Sequence, residues 1–289
     1  MADQETLAGP EETAEDSGTL GLIVYGNVGG NMQTVLSYTD TGQVPEGLAW
    51  LTGNFTGTQN MGIQLAQPWD NNGALGLNIY GNVGGTLQQV FTSSDMGQGS
   101  GALAWLTGNF TGTGNDFTEI AQLWDDDGTL GLIVYGSPAG SPQAVFANPD
   151  MNQGSSALAF LTGNFTGSGT TTQIAQPWDN NGTLEMIVYG IGNDGTLETV
   201  YASPMHQGSS ALAFLTGNFI GSGSTQIAQT RDNNGSLQLL IYGDVGDGGL
   251  STVFSNDISQ IPFALAWVTG GFSGTGNTQI LQPWMRVLA

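Results

Sequence analysis

Residues 156–178 read SALAFLTGNFTGSGTTTQIAQPW, and near-copies of this stretch recur along the chain. Its core L-T-G-N-F begins at Leu51, Leu106, Leu161 and Leu215, with the variant V-T-G-G-F at Val268, so successive steps are 55, 55, 54 and 53 residues. A fixed internal period of this kind marks a repeat array, whose units bury their apolar faces against one another.

Each period holds four short apolar runs separated by turn signals. In the third full repeat they are Ala157–Leu161, Gln173–Trp178, Leu184–Tyr189 and Leu197–Tyr201. The second run is closed by Asp179, Asn180, Asn181 and Gly182, a hairpin-turn sequence. A polar linker, Ser203–Ser209, leads into the next repeat. Helical repeats need longer segments with a 3.6-residue period, and none is present. Four strands of five or six residues joined by tight turns are one blade of a β-propeller. The first run recurs at Leu48, Leu103, Leu158, Leu212 and Leu265 and the third at Leu20, Leu75, Leu130, Leu184 and Leu237. The expectation is an all-β, five-bladed β-propeller of four-stranded antiparallel blades.

The two ends of the chain complement each other. Residues 16–25, DSGTLGLIVY, supply a third strand, whereas TQILQPW at 278–284 is a second strand. One blade is therefore expected to join N-terminal to C-terminal strands, closing a single domain over 18–289 and removing open sheet edges. Residues 1–17 carry six acids and hardly a large apolar side chain, so a disordered acidic tail is expected there.

The formal charge is −22, with no lysine and only Arg231 and Arg286 as fixed cations. No basic surface can neutralise phosphates, which excludes nucleic acid as a direct partner. Charged residues make up only 9% of the chain, so the surface must be largely neutral and polar, suited to uncharged polar ligands. The absence of cysteine removes disulfides, thiolate metal sites and cysteine nucleophiles. No apolar run approaches the ~18 residues of a membrane span, and the first residues have neither a basic start nor an apolar h-region, so any export signal is expected to be absent or already removed. A soluble protein is expected, without membrane insertion, in the cytoplasm or exported by a non-classical route.

The segment L-T-G-N-F-T-G-T-G-N resembles the FG-GAP repeat of integrin-α-type propellers, and the periodic arrangement is similar to lectins of the Psathyrella velutina type. The likeness spans residues 18–289 and implies the propeller fold and sugar binding. In that family the first turn often carries calcium-binding aspartates. The matching positions here are Asn54, Thr56 and Thr58, then Asn109, Thr111 and Thr113, then Asn164, Thr166 and Ser168, none of them acidic. Calcium requires anionic oxygen ligands, so no cofactor is expected.

Three similar polar clusters stand beside W-D-N-N-G-type turns. They pair Trp69, Asp70 and Asn71 with Asp95, Gln98 and Ser100; Trp124 and Asp125 with Asp150, Gln153 and Ser155; and Trp178 and Asp179 with His206, Gln207 and Ser209. An indole face packs on the C–H surface of a pyranose, while Asp, Asn, Gln and Ser hydrogen-bond its hydroxyls. Interblade packing would explain the same tryptophans, and Asx-Gly turns need no ligand. Trp50, Trp105, Phe160, Phe214 and Trp267 share one position of the innermost strand and are expected in the core. His206 is the only histidine and stands where sister repeats have Gly97 and Asn152, so it reads as a loop variant. Asp125 and Asp127 share one solvated turn, which is unsuited to glycoside hydrolysis.

The residues point to a non-catalytic, multivalent lectin for glycans with N-acetylated or neutral hexoses. The alternative is a propeller that binds protein in interaction or adhesion. Pairing of two rings into a homodimer is left open.

Overall fold

The computed structural model describes residues 21–28, 31–39, 47–57, 62–112, 117–138, 140–167, 171–192, 194–221, 223–244, 249–258, 260, 262, 264–273 and 276–283. The acidic tail, Thr58, Thr113 and Ser168 lie outside the described residues. All regular structure described is β-strand, in antiparallel sheets. The order is β1 (Gly21–Val28), β2 (Asn31–Thr39), β3 (Leu51–Gly53), β4 (Gln64–Asn71), β5 (Ala74–Val83) and β6 (Thr86–Ser93). Next come β7 (Ala104–Gly108), β8 (Glu119–Asp126), β9 (Thr129–Gly136), β10 (Gln143–Asn148), β11 (Leu161–Gly163), β12 (Gln173–Asn180) and β13 (Thr183–Ile191). The chain continues with β14 (Leu197–Gly208), β15 (Ala213–Gly217), β16 (Gln226–Asn233), β17 (Ser236–Asp244), β18 (Leu250–Ile258), β19 (Val268–Gly270) and β20 (Gln279–Leu281).

Four sheets are four-stranded meanders, β3-β4-β5-β6, β7-β8-β9-β10, β11-β12-β13-β14 and β15-β16-β17-β18, so the expected unit of four strands per period is present. The hairpins β1-β2 and β19-β20 are separate two-stranded sheets among the described residues, and the strand pairing expected to join them is not seen there.

Two boundaries differ from the sequence reading, each for a local reason. In the third repeat the first strand is Leu161–Gly163, not Ala157–Leu161. Its partner strand carries Pro177, which has no N–H for the ladder, whereas β8 and β16 have Leu123 and Thr230 there and pair with five-residue strands through Ala104 and Ala213. The fourth strand of that repeat, in turn, absorbs most of the linker and runs to Gly208. The linker there is one residue shorter and lacks the aspartate that turns the chain at Asp95 and Asp150, so the ladder with β13 continues.

A β-bulge recurs at one valine in every outer hairpin: Val35, Val90, Val145, Val200 and Val253 are each skipped in the pairing opposite a tyrosine. The next residue after that tyrosine is glycine, and at Gly136, Gly190 and Gly243 an added Cβ would approach the bulged valine to 3.2–3.3 Å. The Y-G pair and the valine thus act together to kink the strand.

By contacts the chain divides into two compact units, residues 1–50 with 67–100, and 51–66 with 101–289. In the first, β2 lies against β6 and the Tyr38 ring stands 5.3 Å from that of Tyr80. In the second, the first strands β3, β7, β11, β15 and β19 neighbour one another in chain order. Two interleaved cores follow. Leu130, Leu132 and Val134 pack against Ile187 and Tyr189 of the next sheet. Leu184, Met186 and Val188 repeat the arrangement against Leu240 and Tyr242. Each such side chain contributes ~1.5–3 kcal/mol by leaving water.

A backbone latch ties successive repeats. Thr118, Thr172, Thr225 and Thr278 each donate N–H to the carbonyl of Asn54, Asn109, Asn164 and Asn218, at 2.7, 2.7, 3.0 and 2.8 Å. Each asparagine N–H returns to the same threonine's Oγ1. The threonine lies so close to the preceding glycine that a Cβ at Gly53, Gly108, Gly163 or Gly217 would fall within 2.7 Å of it. The repeated T-G-N therefore encodes a joint between successive repeats.

Candidate functional site

The turn that closes each second strand is built by its own aspartate. Asp70, Asp125, Asp179 and Asp232 accept at Oδ1 the N–H of Gly73, Gly128, Gly182 and Gly235, at 2.6–2.9 Å. Asn72, Asp127, Asn181 and Asn234 then adopt φ of 50–54°, followed by glycine at 85–90°. Two successive positive φ angles make the type I′ turn that suits strand twist.

The linker returns onto this turn, as the sequence predicts. Ser100, Ser155 and Ser209 donate N–H to the carbonyls of Gly73, Gly128 and Gly182 at 3.0–3.1 Å. Leu75 and Leu130 donate to the backbone oxygens of Gln98 and Gln153 at 2.8 Å. Ser100 Oγ also donates to Asp70 Oδ1, and Asn71 Nδ2 donates to Ser94 O at 2.9 Å. Asp95 and Asp150 accept the N–H of Gly97 and Asn152 at 2.7 Å, which bends the linker. Turn and linker of each cluster are thus brought together, and much of their hydrogen bonding is internal. Gln98 and His206 are exposed, and Gln153 and Gln207 half-buried.

His206 occupies the left-handed region, φ 56°, as do Gly97 at 75° and Asn152 at 54°. Those three residues share a conformational demand, which explains their equivalence without any chemistry.

The tryptophans are committed to packing. The Trp69 indole lies against Gly76 and that of Trp124 against Gly131, where a Cβ would come within 2.1 and 2.3 Å of the ring. Trp178 packs on the core between the second and third four-stranded sheets. All three are half-buried, and Nε1 of Trp69 and Trp178 is buried without a partner. Trp69 and Trp124 thus cover a glycine on the adjacent strand of their own sheet, and Trp178 lies on the core. The aromatics expected in the core beside the first strands, in contrast, are less buried than expected. Trp50 is 46% exposed, and Phe160 and Phe214 flank the cores from half-buried positions. Trp50 and Phe160 stand just before β3 and β11, and Phe214 lies on β15, the edge strand of its sheet.

Sequence reading missed the glutamines of Q-x-A-Q. Oε1 of Gln64 and Gln173 accepts the N–H of Phe55 and Phe165 at 2.7 and 2.8 Å, and Nε2 donates to Thr56 or Thr166 Oγ1 at 2.6 Å. Glu119 serves the same turn in its repeat through Phe110 N and Thr111 N. The second glutamine faces the linker. Gln176 Nε2 donates to Gly154 O and Ser156 O at 3.0 Å, and its Oε1 accepts from Tyr189 Oη at 2.6 Å. Gln122 with Tyr135 and Gln229 with Tyr242 repeat the pair. Burial pushes all three phenols well above their ordinary acidity constant. Buried amides with both ends engaged are braces, which alternation of polar and apolar residues cannot reveal.

No protein-family model and no curated protein matches this chain. What the site can do therefore rests on its own geometry.

A cavity of about 420 Å³ opens beside the third cluster, lined by Asp179 and Ser209 together with Leu158, Ser210, Leu212 and Phe214. The leucines were read as strand interior. Leu48, Leu103, Leu158, Leu212 and Leu265 are instead 42–66% exposed, each donating N–H to the carbonyl of residue 68, 123, 177, 230 or 283 at 2.7–2.9 Å.

At the first-turn positions, the Thr56 and Thr166 hydroxyls are taken by glutamine, and that of Thr111 donates to Glu119 Oε1. Among the described residues, no three His, Asp or Glu gather as metal ligands. Nor is any helix long and apolar enough to cross a membrane among them.

Proposed function

We propose that this chain is a non-catalytic lectin whose shallow pockets, formed where a W-D-x-x-G turn meets the following linker, take neutral or N-acetylated hexoses of larger glycans. The observation that carries the reading is the cavity beside Asp179 and Ser209. Its size falls within the ~300–1,000 Å³ typical of small-ligand sites. Leu158, Leu212 and Phe214 offer an apolar wall to sugar C–H groups, and Asp179, Ser209 and Ser210 offer directional partners to hydroxyls. The resemblance to propeller lectins points the same way, and so does a surface with few charges. The apolar wall is aliphatic and phenyl, since the indoles are engaged elsewhere. The fold we propose is a five-bladed propeller in which the two hairpins share one blade. Turn-linker pairs at three successive repeats would raise avidity on a surface presenting many copies, because the second contact is effectively intramolecular.

One observation favours a second reading. Five exposed leucines at one repeat position are an apolar feature that a protein partner could cover, as in an adhesion module. A glycan array with simple-sugar competition separates the two: competed signal supports the lectin, and no neutral-glycan signal with a saturable protein partner supports the alternative.

A further inference from the structure

The residue before the turn aspartate is Trp69, Trp124 and Trp178 in three successive repeats, and Arg231 in the next. Trp69 and Trp124 lie over Gly76 and Gly131, whereas Arg231 faces Gln238 across its hairpin and its Nε donates to Gln238 Oε1. In a chain with 24 acids an arginine has carboxylates to choose from, yet among the described residues none pairs with this half-buried guanidinium. Asp257, which faces Gln238 from β18, accepts instead from Asn233 Nδ2 at 3.2 Å.

Strand alternation fixes where the guanidinium lies. Gln229 and Arg231 are two residues apart on β16 and share a face. Gln229 Nε2 donates to Gly208 O and Ser210 O at 3.0 and 2.8 Å, and a Cβ on Gly208 would stand 3.2 Å from Arg231 Nη1. Leu212 N donates to the carbonyl of Thr230, next to the arginine, at 2.7 Å. The linker that Arg231 borders is therefore the one whose Ser209, Ser210 and Leu212 line the cavity of about 420 Å³. Asp179, also on that wall, makes no ion pair with Arg231 and accepts the Gly182 N–H at Oδ1. In the preceding repeat the linker is held in the same way by Gln176, and the residue two further along that face is the uncharged Trp178.

We infer that the pocket beside Asp179 and Ser209 takes a hexuronate, a hexose whose C6 is a carboxylate, with that carboxylate on the Arg231 guanidinium and ring hydroxyls donating to Asp179. This names the substrate class of the pocket and rests on the lectin reading of it. A guanidinium with Nε already engaged still offers Nη1 and Nη2 as a planar fork for a carboxylate. The ligand thus supplies the counter-charge that no described residue gives. The charge of −22 repels an acid at long range, but screening confines that field to ~8 Å at physiological ionic strength, so contact with Arg231 decides the preference.

The test titrates glucuronate against glucose, and galacturonate against galactose, into the full chain and into Arg231→Gln, Arg231→Lys and the double variant Arg231→Trp with Gln238→Gly. The double variant rebuilds the pairing of Trp69 with Gly76, so it keeps the test open if glutamine alone unfolds the chain. The wild type should bind one uronate at least about tenfold more tightly than its neutral hexose, at one site per chain. That preference should vanish in the glutamine and double variants and survive in part in the lysine variant, with neutral-hexose affinity unchanged throughout. Neutral hexose bound without a uronate preference, or a preference that persists without Arg231, overturns the inference and leaves the lectin reading standing. Binding of no sugar at all overturns both.

Discussion

Asn109 and Thr172 exchange two hydrogen bonds: Thr172 N donates to Asn109 O at 2.7 Å, and Asn109 N donates to Thr172 Oγ1 at 2.8 Å. Thr172 Cγ2 meanwhile sits where a Cβ on Gly108 would be, 2.6 Å from it. One side chain thereby serves as acceptor and as packing surface. Thr172→Val keeps the shape and strands the Asn109 N–H, so it should cost ~1–3 kcal/mol, with Thr172→Ser milder. Denaturant midpoints at constant m-value check this, and an unchanged midpoint for valine would show that the latch contributes nothing.

Trp124 covers Gly131 on the neighbouring strand. Trp124→Ala should therefore lower stability by ~2–4 kcal/mol through the cavity it leaves, while a sugar bound beside Asp179 and Ser209 is unaffected. Thermal melts together with glycan titration distinguish the two effects. Loss of binding without loss of stability would return the indole to the ligand site.

At His206 the backbone is left-handed, a region that asparagine adopts more readily than most residues with a β-carbon and that Asn152 occupies in the sister repeat. His206→Asn should raise stability by ~0.5–1 kcal/mol, readable as a shift in unfolding midpoint, and should leave ligand binding unaltered.

Alkaline pH should unfold the protein through its buried phenols. Burial raises the acidity constants of Tyr135, Tyr189 and Tyr242, so the folded chain holds protons that the unfolded chain releases above pH ~10. Their contribution is complete below that pH and is lost as pH rises past it. The denaturation midpoint should be flat from about pH 7 to 9 and fall above about 10. Tyr189→Phe should fall less steeply, though from a lower plateau, because the hydrogen bond to Gln176 is gone.

The repeat, the four-stranded unit and the meeting of turn and linker were legible because glycine, Asx turns and β-branched runs act locally. What eluded the sequence depends on partners far along the chain. The length of β11 is decided by Pro177 on the neighbouring strand. The tryptophans look like sugar platforms until Gly76 and Gly131 are found beneath two of them. Gln64 and Gln176 carry no local signal of their role, because the turn and the linker they bridge are brought to them only by the sheet. Leu158 and Leu212 read as part of the first strand, yet they stand outside it, exposed at the wall of the candidate pocket.

The most direct test of the central claim is a titration of neutral and N-acetylated monosaccharides into the full chain and into Leu212→Glu. That substitution places a charge on the pocket wall at a residue 44% exposed. The account predicts saturable binding of at least one sugar to the wild type, weakened at least about tenfold at the pocket that Leu212 lines, in a variant of unchanged stability. Equal binding by both proteins, or binding by neither, would contradict it.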